Sequence, residues 1–252
     1  MYKKLLLLSF LILFFSCKET EYQLVQSDGK SININDSIEA DEGIKTFIAP
    51  YKNRIDEEMS TVLAYSPQDL DKKNGELNTA IGNMMADAVM ELSSPVFESR
   101  TGIKLDAVLL NFGGIRSTIG KGDITTRTAY QIMPFENEVV VVELAAPEMK
   151  ELVNYLKEAK TAHPISGIEI VLDEEGSIEK ALVQGQPISE DETYFIATND
   201  YLMNGGDNMN FFKDRKSETF IDYKIRNLLI DYFNKKDTIA PVIDARFIKI
   251  KE

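Results

Sequence analysis

The stretch that decides the fold is DAVLLNFGGIRSTIGKGDITTRTAYQIMPFEN, Asp106–Asn137. Its apolar run Ala107–Leu110 predicts a buried strand, which ends in Asn111, Gly113, Gly114 and Arg116. Glycine lets the backbone approach a ligand closely, an asparagine amide both donates and accepts hydrogen bonds, and a guanidinium fits phosphate or carboxylate. We therefore expect a ligand at this strand exit. The same spacing also fits a glycine turn with a surface arginine, and spacing alone leaves that alternative open.

The N-terminus of the 252-residue chain has the pattern of an export signal. Lys3 and Lys4 precede the apolar run Leu5–Phe15, which is short for a membrane span and ends at Ser16 and Cys17, the only cysteine. Residues 1–17 resemble a bacterial lipoprotein signal peptide. The resemblance implies that Cys17 is lipidated and anchors an exported protein to a membrane, facing the periplasm or the cell exterior. An ordinary cleaved signal and an uncleaved anchor are the alternatives.

The charge balance argues against one class of partner. The chain has 28 basic and 41 acidic residues, a net charge of −13 and a pI near 4.7. A broad basic face for nucleic acid is therefore not expected. A small phosphorylated ligand would still bind where a few cations gather in one cleft.

The domain is expected to begin after a polar tether. Residues 18–40 carry turn signals and one short alternating run, Ser31–Ile34, that would suit a strand. Residues 41–252 show no repeat and no linker, so one domain is predicted. Its first helix would be capped by Ser37 or Asp41, and Pro50 would kink or restart it. Its apolar stripe is predicted to pack in the core, and comprises Ile44, Phe47, Ile48, Tyr51, Ile55, Met59 and Val62.

Helices and strands then alternate, which predicts a mixed α/β fold. A helix over residues 78–90, capped by Asn78 or Thr79, turns Ile81, Met84, Met85, Ala88 and Val89 inward, and its Asn83 and Asp87 face either a site or solvent. Further strands are predicted at Val139–Leu144, Ile165–Leu172, Ser177–Val183, Tyr194–Thr198 and Val242–Ile250, and helices at Pro147–Leu156 and Phe220–Phe233.

The sequence contains few residues that could act as catalytic groups. The one histidine, His163, precedes a proline and has no carboxylate cluster nearby in sequence, so neither a dinuclear metal centre nor a serine triad is predicted. No phosphate-binding loop of the Gly-x-x-x-x-Gly-Lys-Ser/Thr type appears. A lone loop histidine is more often a surface residue or a hydrogen-bonded structural group. We therefore predict no catalytic residue and no metal site in this chain.

Binding groups are better represented, because a second glycine-rich exit follows the strand Tyr194–Thr198. It carries Tyr201 and Asp207, and with Phe135 it would offer two rings to sandwich a flat base. Asp207 would accept hydrogen bonds from ribose or sugar hydroxyls. The alternatives are core packing for Phe135 and a turn cap for Asp207.

Four motifs in this order and spacing resemble the C-terminal domain of the 5′-nucleotidase / UDP-sugar hydrolase family. They are Ile81-Gly-Asn-Met-Met-Ala-Asp-Ala88, Asn111-Phe-Gly-Gly-Ile-Arg116, Pro134-Phe-Glu-Asn137 and Asn204-Gly-Gly-Asp207. The likeness extends from about Asp41 to Ile250. It implies a four-layer α/β/β/α domain that holds the nucleoside part of a substrate, whereas a separate metallophosphatase domain carries two metal ions.

The resemblance also implies individual roles. Asn111 and Arg116 would contact the ribose or phosphate side, Gly113 and Gly114 would form the loop around the ligand, Phe135 and Tyr201 would stack on the base, and Asp207 would bind the ribose hydroxyls. Two positions depart from the family pattern. Tyr201 stands where phenylalanine is usual. The family's arginine ahead of the Gly82-Asn83 helix is missing, with Gly75 near its place and Lys72 or Lys73 as substitutes.

The residues supply neither the Asp-x-His nor the Gly-Asn-His-Asp/Glu signature of the metallophosphatase domain. We therefore predict the nucleotide-binding half of a split 5′-nucleotidase. Its divalent metal pair, manganese, zinc or similar, is expected on a separately encoded metallophosphatase partner. The rivals are a stand-alone lipoprotein that binds nucleosides or nucleotides, and a scaffold that has lost its ligand.

Overall fold

The computed structural model of the protein describes residues 24–35 and 37–250. The chain divides into two compact units, Met1–Ile48 and Ala49–Glu252. The predicted signal peptide and Cys17 lie outside the described residues, and the tether and domain boundaries at 18–40 and 41–252 also stay predictions. In the part of the chain that is described, none of the helices combines the length and hydrophobicity that a membrane span needs.

In the first unit, the strand predicted at Ser31–Ile34 does not form. These residues have no regular structure, and Ile32 and Ile34 are exposed. Alternating side chains favour a strand only where another strand pairs with it, which the sequence pattern does not reveal.

Helix α1, Glu42–Met59, begins where the sequence predicts. The side chain of Asp41 accepts from the N–H of Ile44 at 2.9 Å, and Pro50 lies inside the helix without ending it. The prediction that its apolar stripe packs in the core is wrong, because none of its residues is buried. Helical periodicity identifies an apolar face but does not tell whether another surface covers it.

The second unit contains strands and helices that alternate along most of its length. They are β1 (Val62–Ser66), α2 (Ala80–Thr101), β2 (Ala107–Leu109), β3 (Gly122–Thr125), α3 (Thr126–Ile132), β4 (Glu138–Ala145), α4 (Ala146–Ala159), β5 (Ile165–Ser166), β6 (Ile168–Leu172), β7 (Ile178–Val183), β8 (Gln186–Pro187), β9 (Thr193–Asn199), α5 (Asp200–Met203), β10 (Ser217–Lys224), α6 (Ile225–Lys235) and β11 (Phe247–Lys249). Thr79 caps α2, as predicted, by accepting from the N–H of Gly82.

Three sheets organise this unit. The central sheet has five strands in the order β10-β4-β9-β2-β5, the second has four in the order β11-β6-β7-β8, and β1 pairs with β3. Strands β2 and β9 are parallel neighbours, whereas β4 runs antiparallel to β9.

The central sheet is covered on both faces, which explains the unbroken apolar run of β4. Val139 and Val141 pack with α2 and α6 in one core, whereas Val140, Val142 and Leu144 pack with α4 and the four-stranded sheet in the other. Buried strands covered on both faces read as continuous apolar runs. The predicted mixed α/β fold is therefore confirmed.

Three element predictions need correction. The single strand predicted at Ile165–Leu172 is two strands in different sheets, since Gly167 adopts a left-handed φ of 74° and a Cβ there would lie 2.3 Å from the carbonyl oxygen of Asp106. The helix predicted over Phe220–Phe233 starts only at Ile225, because the preceding residues pair with β4 as β10. The terminal strand is confined to Phe247–Lys249.

Candidate functional site

Three chain segments meet at one edge of the central sheet. The parallel strands β2 and β9 both end there, and antiparallel β4 begins there, with Val139 opposite Asn199. The loops that follow β2 and β9 and the turn that precedes β4 therefore converge. Crevices at the carboxyl ends of neighbouring parallel strands are common ligand sites in α/β proteins.

These segments enclose a cavity of about 400 Å³. All seven residues predicted to bind a ligand lie around it, together with Asn137, which the site prediction omitted although it belongs to the quoted motif. The lining consists of Asn111, Gly113, Gly114, Arg116, Phe135, Asn137, Tyr201 and Asp207. Residues that lie up to 96 positions apart in sequence thus share one site, and their binding roles remain predictions.

Two aromatic rings line the cavity. Phe135 is 41% exposed and Tyr201 is 48% exposed, so neither is a core residue. The guanidinium carbon of Arg116 lies 5.8 Å from the ring centroid of Phe135. Partly exposed rings beside a cation suit stacking on a planar ligand that carries negative charge.

Asp207 is held by two tyrosines. The hydroxyl of Tyr201 donates to Asp207 Oδ1 at 2.9 Å and accepts from the Asp207 N–H at 3.2 Å, while the hydroxyl of Tyr155 donates to the Asp207 carbonyl at 2.8 Å. Gly206 makes this possible, since a Cβ there would lie 2.5 Å from the Tyr201 ring. Burial, with the charge of Asp207, raises the pKa of Tyr155, which keeps its hydroxyl protonated and able to donate.

The glycine loop after β2 is ordered from behind by His163. The N–H of Phe112 donates to His163 Nδ1 at 3.2 Å, which requires a neutral imidazole with its proton on Nε2. His163 is buried, and burial lowers its pKa. Its ring lies 5.6 Å from that of Tyr155, so His163 and Tyr155 support the two ligand loops side by side. Of the roles considered for His163, the structural group is the one observed.

Asn111 lies closest to the glycines of this loop. A Cβ on Gly114 would lie 3.0 Å from Asn111 Oδ1, and one on Gly113 would lie 3.4 Å from Asn111 Nδ2. Side chains at either glycine would therefore crowd the asparagine amide. Because the two glycines have no side chains, the Asn111 amide has room to contact a ligand.

The comparisons with known proteins point to one family. A family model described as 5′-nucleotidase, C-terminal domain, matches residues 59–214. The chain belongs to this family. A cell wall protein of Listeria monocytogenes, Lmo0130, is 30% identical over 177 residues, which cover 61% of this chain and 21% of that protein.

Proteins with nucleotide-related names also match this chain. The trifunctional nucleotide phosphoesterase YfkN of Bacillus subtilis is 25% identical over 253 residues, covering 91% of this chain and 17% of that protein. The solved 5′-nucleotidase precursor of Thermus thermophilus superimposes with a TM-score of 0.68 at 22% identity, over 84% of this chain and 44% of that one. The chain therefore spans less than half the length of these relatives, and the structural likeness shows the fold.

One departure of this 5′-nucleotidase C-terminal domain from the family pattern has a structural basis. A Cβ at Gly75, which lies near the place of the arginine that the resemblance implies, would lie 2.0 Å from the carbonyl oxygen of Asn78, so any side chain there would force the backbone to shift. Of the two proposed substitutes, Lys72 contacts the loop that follows β2, and its role toward a ligand stays a prediction. Its Nζ donates to the Ile115 carbonyl at 2.6 Å, and burial, followed by the charges of Arg116 and Lys73, lowers its pKa.

Two residues of the helix motif do not face the cavity. Asn83 is buried and donates to Asn78 Oδ1 at 2.9 Å and to the Val242 carbonyl at 3.0 Å. Asp87 accepts two hydrogen bonds of 2.9 Å from Arg246. Neither residue lines the cavity, and both tie α2 to the C-terminal segment.

The residues of this domain do not fit the metal pair of the complete enzymes. Between residues 24 and 250, Asp36 excepted, no group of three or more histidine, cysteine, aspartate or glutamate side chains is placed to hold a metal ion. The lining of the cavity contributes a single carboxylate, Asp207. Metal ions in catalytic sites are normally held by three or more such side chains.

Proposed function

We propose that this chain is the nucleotide-binding half of a split 5′-nucleotidase and acts with a separately encoded metallophosphatase. The observation that carries the proposal is the cavity at the meeting of β2, β4 and β9, which combines two exposed rings with one arginine and one carboxylate. Each part of a nucleotide finds a matching group there: rings for the base, Asp207 for ribose hydroxyls and Arg116 for phosphate.

The size and charge of the cavity agree with such a ligand. Its volume of about 400 Å³ lies within the range of small-molecule sites. Lys72 lies close enough to Arg116 for the two positive charges to interact. Two neighbouring cations favour an anionic ligand at this point of the surface, despite the net charge of −13.

In the proposed enzyme, this chain supplies position and orientation. Holding a nucleoside in fixed geometry removes much of the entropy cost of bringing the phosphoryl group to a catalytic centre. The divalent metal pair, manganese, zinc or similar, belongs to the proposed partner, because the residues here do not fit it.

The proposed location is a membrane surface outside the cytoplasm. The signal-like pattern of residues 1–17 supports export, and Cys17 is the proposed lipid attachment site. Incorporation of labelled palmitate in wild type but not in Cys17→Ala would support this anchor, and equal labelling of both would refute it.

A reconstitution assay tests the enzyme proposal. Purified chain, a candidate metallophosphatase that lacks this domain, Mn²⁺ and AMP should together release phosphate far faster than the metallophosphatase alone. Phe135→Ala should abolish most of the gain, whereas Phe220→Ala, which truncates a similarly exposed ring outside the cavity, should keep it. No gain from the wild-type chain would contradict the proposal.

The second candidate is a stand-alone nucleoside- or nucleotide-binding lipoprotein. It is favoured by one observation, that the two rings, the guanidinium of Arg116 and the carboxylate of Asp207 around the cavity all come from this one chain. Calorimetric titration with adenosine, AMP and UDP-glucose separates the two. Tight binding by the isolated chain, with no gain in the reconstitution assay, would favour the stand-alone protein.

A further inference from the structure

The turn that carries Phe135 has little packing of its own. Pro134, Phe135 and Glu136 are all exposed, between the buried Met133 and the start of β4. Exposed turns are usually mobile unless their backbone is held by hydrogen bonds. A ring that stacks on a ligand from such a turn needs an anchor. If the ring is mobile in the free protein, fixing it on binding costs entropy and weakens the affinity.

The first turn of α6 supplies that anchor. The N–H of Ile225 donates to the carbonyl of Asn137 at 3.0 Å. Arg226 donates through one terminal nitrogen to the carbonyls of Pro134 at 3.3 Å and Phe135 at 3.4 Å, and through the other to the carboxylate of Glu136. Three consecutive residues are thus bound by one guanidinium.

Arg226 is itself fixed. Its side chain is 8% exposed, and its guanidinium carbon lies 4.2 Å from the ring centroid of Tyr130, on α3. Its Nε is buried without a hydrogen-bond partner among the described residues. Burying a donor without a partner is unfavourable. The hydrogen bonds of the two terminal nitrogens must therefore compensate for the unpaired Nε and keep the guanidinium in this position.

The ion pair with Glu136 is not sufficient to explain Arg226. Glu136 is exposed and also pairs with Lys224, so its carboxylate would remain compensated without Arg226. Exposed ion pairs contribute little to stability. The contacts that no other described side chain makes are those to the carbonyls of Pro134 and Phe135.

We propose that Arg226 is a positioning residue for nucleotide binding, whose buried guanidinium holds the Pro134–Glu136 turn so that the Phe135 ring stays fixed at the cavity. The inference rests on the proposed function, because the position of the Phe135 ring affects binding only if that ring stacks on the base of a nucleotide. Arg226 does not line the cavity and would not touch the nucleotide.

The chain offers a clean reporter of this turn, because it contains no tryptophan. Phe135→Trp places a single indole fluorophore on the turn, and time-resolved anisotropy measures its motion on the nanosecond scale. Arg226→Met and Arg226→Lys are then added separately. The matched control is Arg100→Met, since Arg100 also donates to a carbonyl, that of Phe220 at 2.8 Å, and to a carboxylate, that of Asp222 at 2.9 Å, away from the cavity.

The expected result is a rise of roughly twofold in the amplitude of fast depolarisation of the introduced indole with either change at Arg226, and no rise with Arg100→Met. In a chain that keeps the natural Phe135, Arg226→Met should weaken AMP binding by roughly tenfold at a temperature where the chain stays folded. Arg226→Lys keeps the positive charge near Glu136, but a lysine cannot bind both carbonyls and the carboxylate at once. This variant therefore distinguishes the effect of the hydrogen bonds that hold the turn from the effect of the charge.

Unchanged anisotropy in both Arg226 variants would overturn the inference, even if AMP binding fell. Absence of AMP binding to the wild-type chain would instead contradict the proposed function, and the anisotropy result would still decide whether Arg226 holds the turn.

Discussion

The hydroxyl of Tyr201 donates to Asp207 Oδ1 at 2.9 Å and accepts from the backbone N–H of the same residue at 3.2 Å. Asp207 and the following Asn208 both have positive φ angles, 52° and 62°. Left-handed conformations are unfavourable outside glycine and need support from their surroundings. Tyr201 therefore does more than offer a ring, because its hydroxyl fixes the carboxylate that would meet the ribose.

Tyr201→Phe tests this link, since it keeps the ring and removes only the hydroxyl. We expect adenosine affinity to fall by about 1 kcal/mol, or roughly fivefold, because Asp207 loses one neutral hydrogen-bond donor to its carboxylate and becomes less ordered. Isothermal titration calorimetry measures the change. Tyr223→Phe is the matched control, as the Tyr223 hydroxyl also donates to an aspartate, Asp231, away from the cavity. Equal affinity of Tyr201→Phe and wild type would refute the link.

Arg116→Ala tests which part of the ligand the guanidinium meets. We expect AMP affinity to fall by about 1.5–3 kcal/mol, and adenosine affinity to change much less, because hydrogen bonds to a charged phosphate are lost. Titrations with the two ligands give the difference. Arg127→Ala, which removes an exposed ion pair with Asp56, should alter neither affinity. Equal losses for AMP and adenosine would contradict the phosphate assignment and place Arg116 at the ribose.

The buried His163 should make the stability of the fold depend on pH, with stability falling as pH falls. Burial holds its pKa below the ordinary value of 6.5, so the unfolded chain takes up this proton first as pH falls. The contribution to stability is complete above about pH 6.5 and is lost as pH falls from there through the folded-state pKa. Protonation also ends the acceptance of the Phe112 N–H at Nδ1, so the glycine loop loses its support.

The measurement is urea unfolding at pH 7.5 and 5.5 on wild type and His163→Asn, whose side-chain oxygen can take the place of Nδ1. His163 is the only histidine in the chain, so the variant should lose less stability on acidification than wild type. Burial raises the pKa of Asp106, which has the opposite sign and is common to both proteins, so it cancels in the comparison. Identical losses would contradict this role of His163.

Asp87→Asn separates structure from binding in the helix motif. Arg246 is 16% exposed and donates to both carboxylate oxygens of Asp87, which is 44% exposed. We expect the free energy of unfolding to fall by about 1–2 kcal/mol, while AMP affinity stays unchanged. Asp56→Asn, which breaks the exposed pair with Arg127, should cost less than about 1 kcal/mol. A loss of AMP affinity without a loss of stability would return Asp87 to the binding site.

The sequence alone predicts the strands and the site residues where local signals are strong. The apolar runs of β2, β4 and β9 stand between glycine-rich or polar exits, and these exits carry the lining of the cavity. Two parallel strand ends and one antiparallel start share an edge of the sheet, which explains why motifs distant in sequence converge. Asn137 belongs to one of the four motifs, yet nothing in the sequence distinguishes its side chain as part of the cavity lining.

The elements that sequence analysis misjudged depend on tertiary partners. Phe220–Lys224 fits a helical pattern, but pairing with β4 makes it a strand, and Gly167 divides one apolar run between two sheets. The stripe of α1 is apolar but not buried. The supporting roles of His163, Tyr155 and Arg226 could not be predicted, because each acts on backbone atoms more than forty positions away.

The most direct test of the central claim is equilibrium dialysis of the purified chain against labelled AMP, beside the double variant Phe135→Ala, Tyr201→Ala. The account predicts saturable binding at one site per wild-type chain, and a loss of at least about 2 kcal/mol, or thirtyfold in affinity, when both rings are removed. The control Phe220→Ala should bind as wild type does. Absence of saturable binding, or equal binding by the double variant, would contradict a nucleotide site in this cavity.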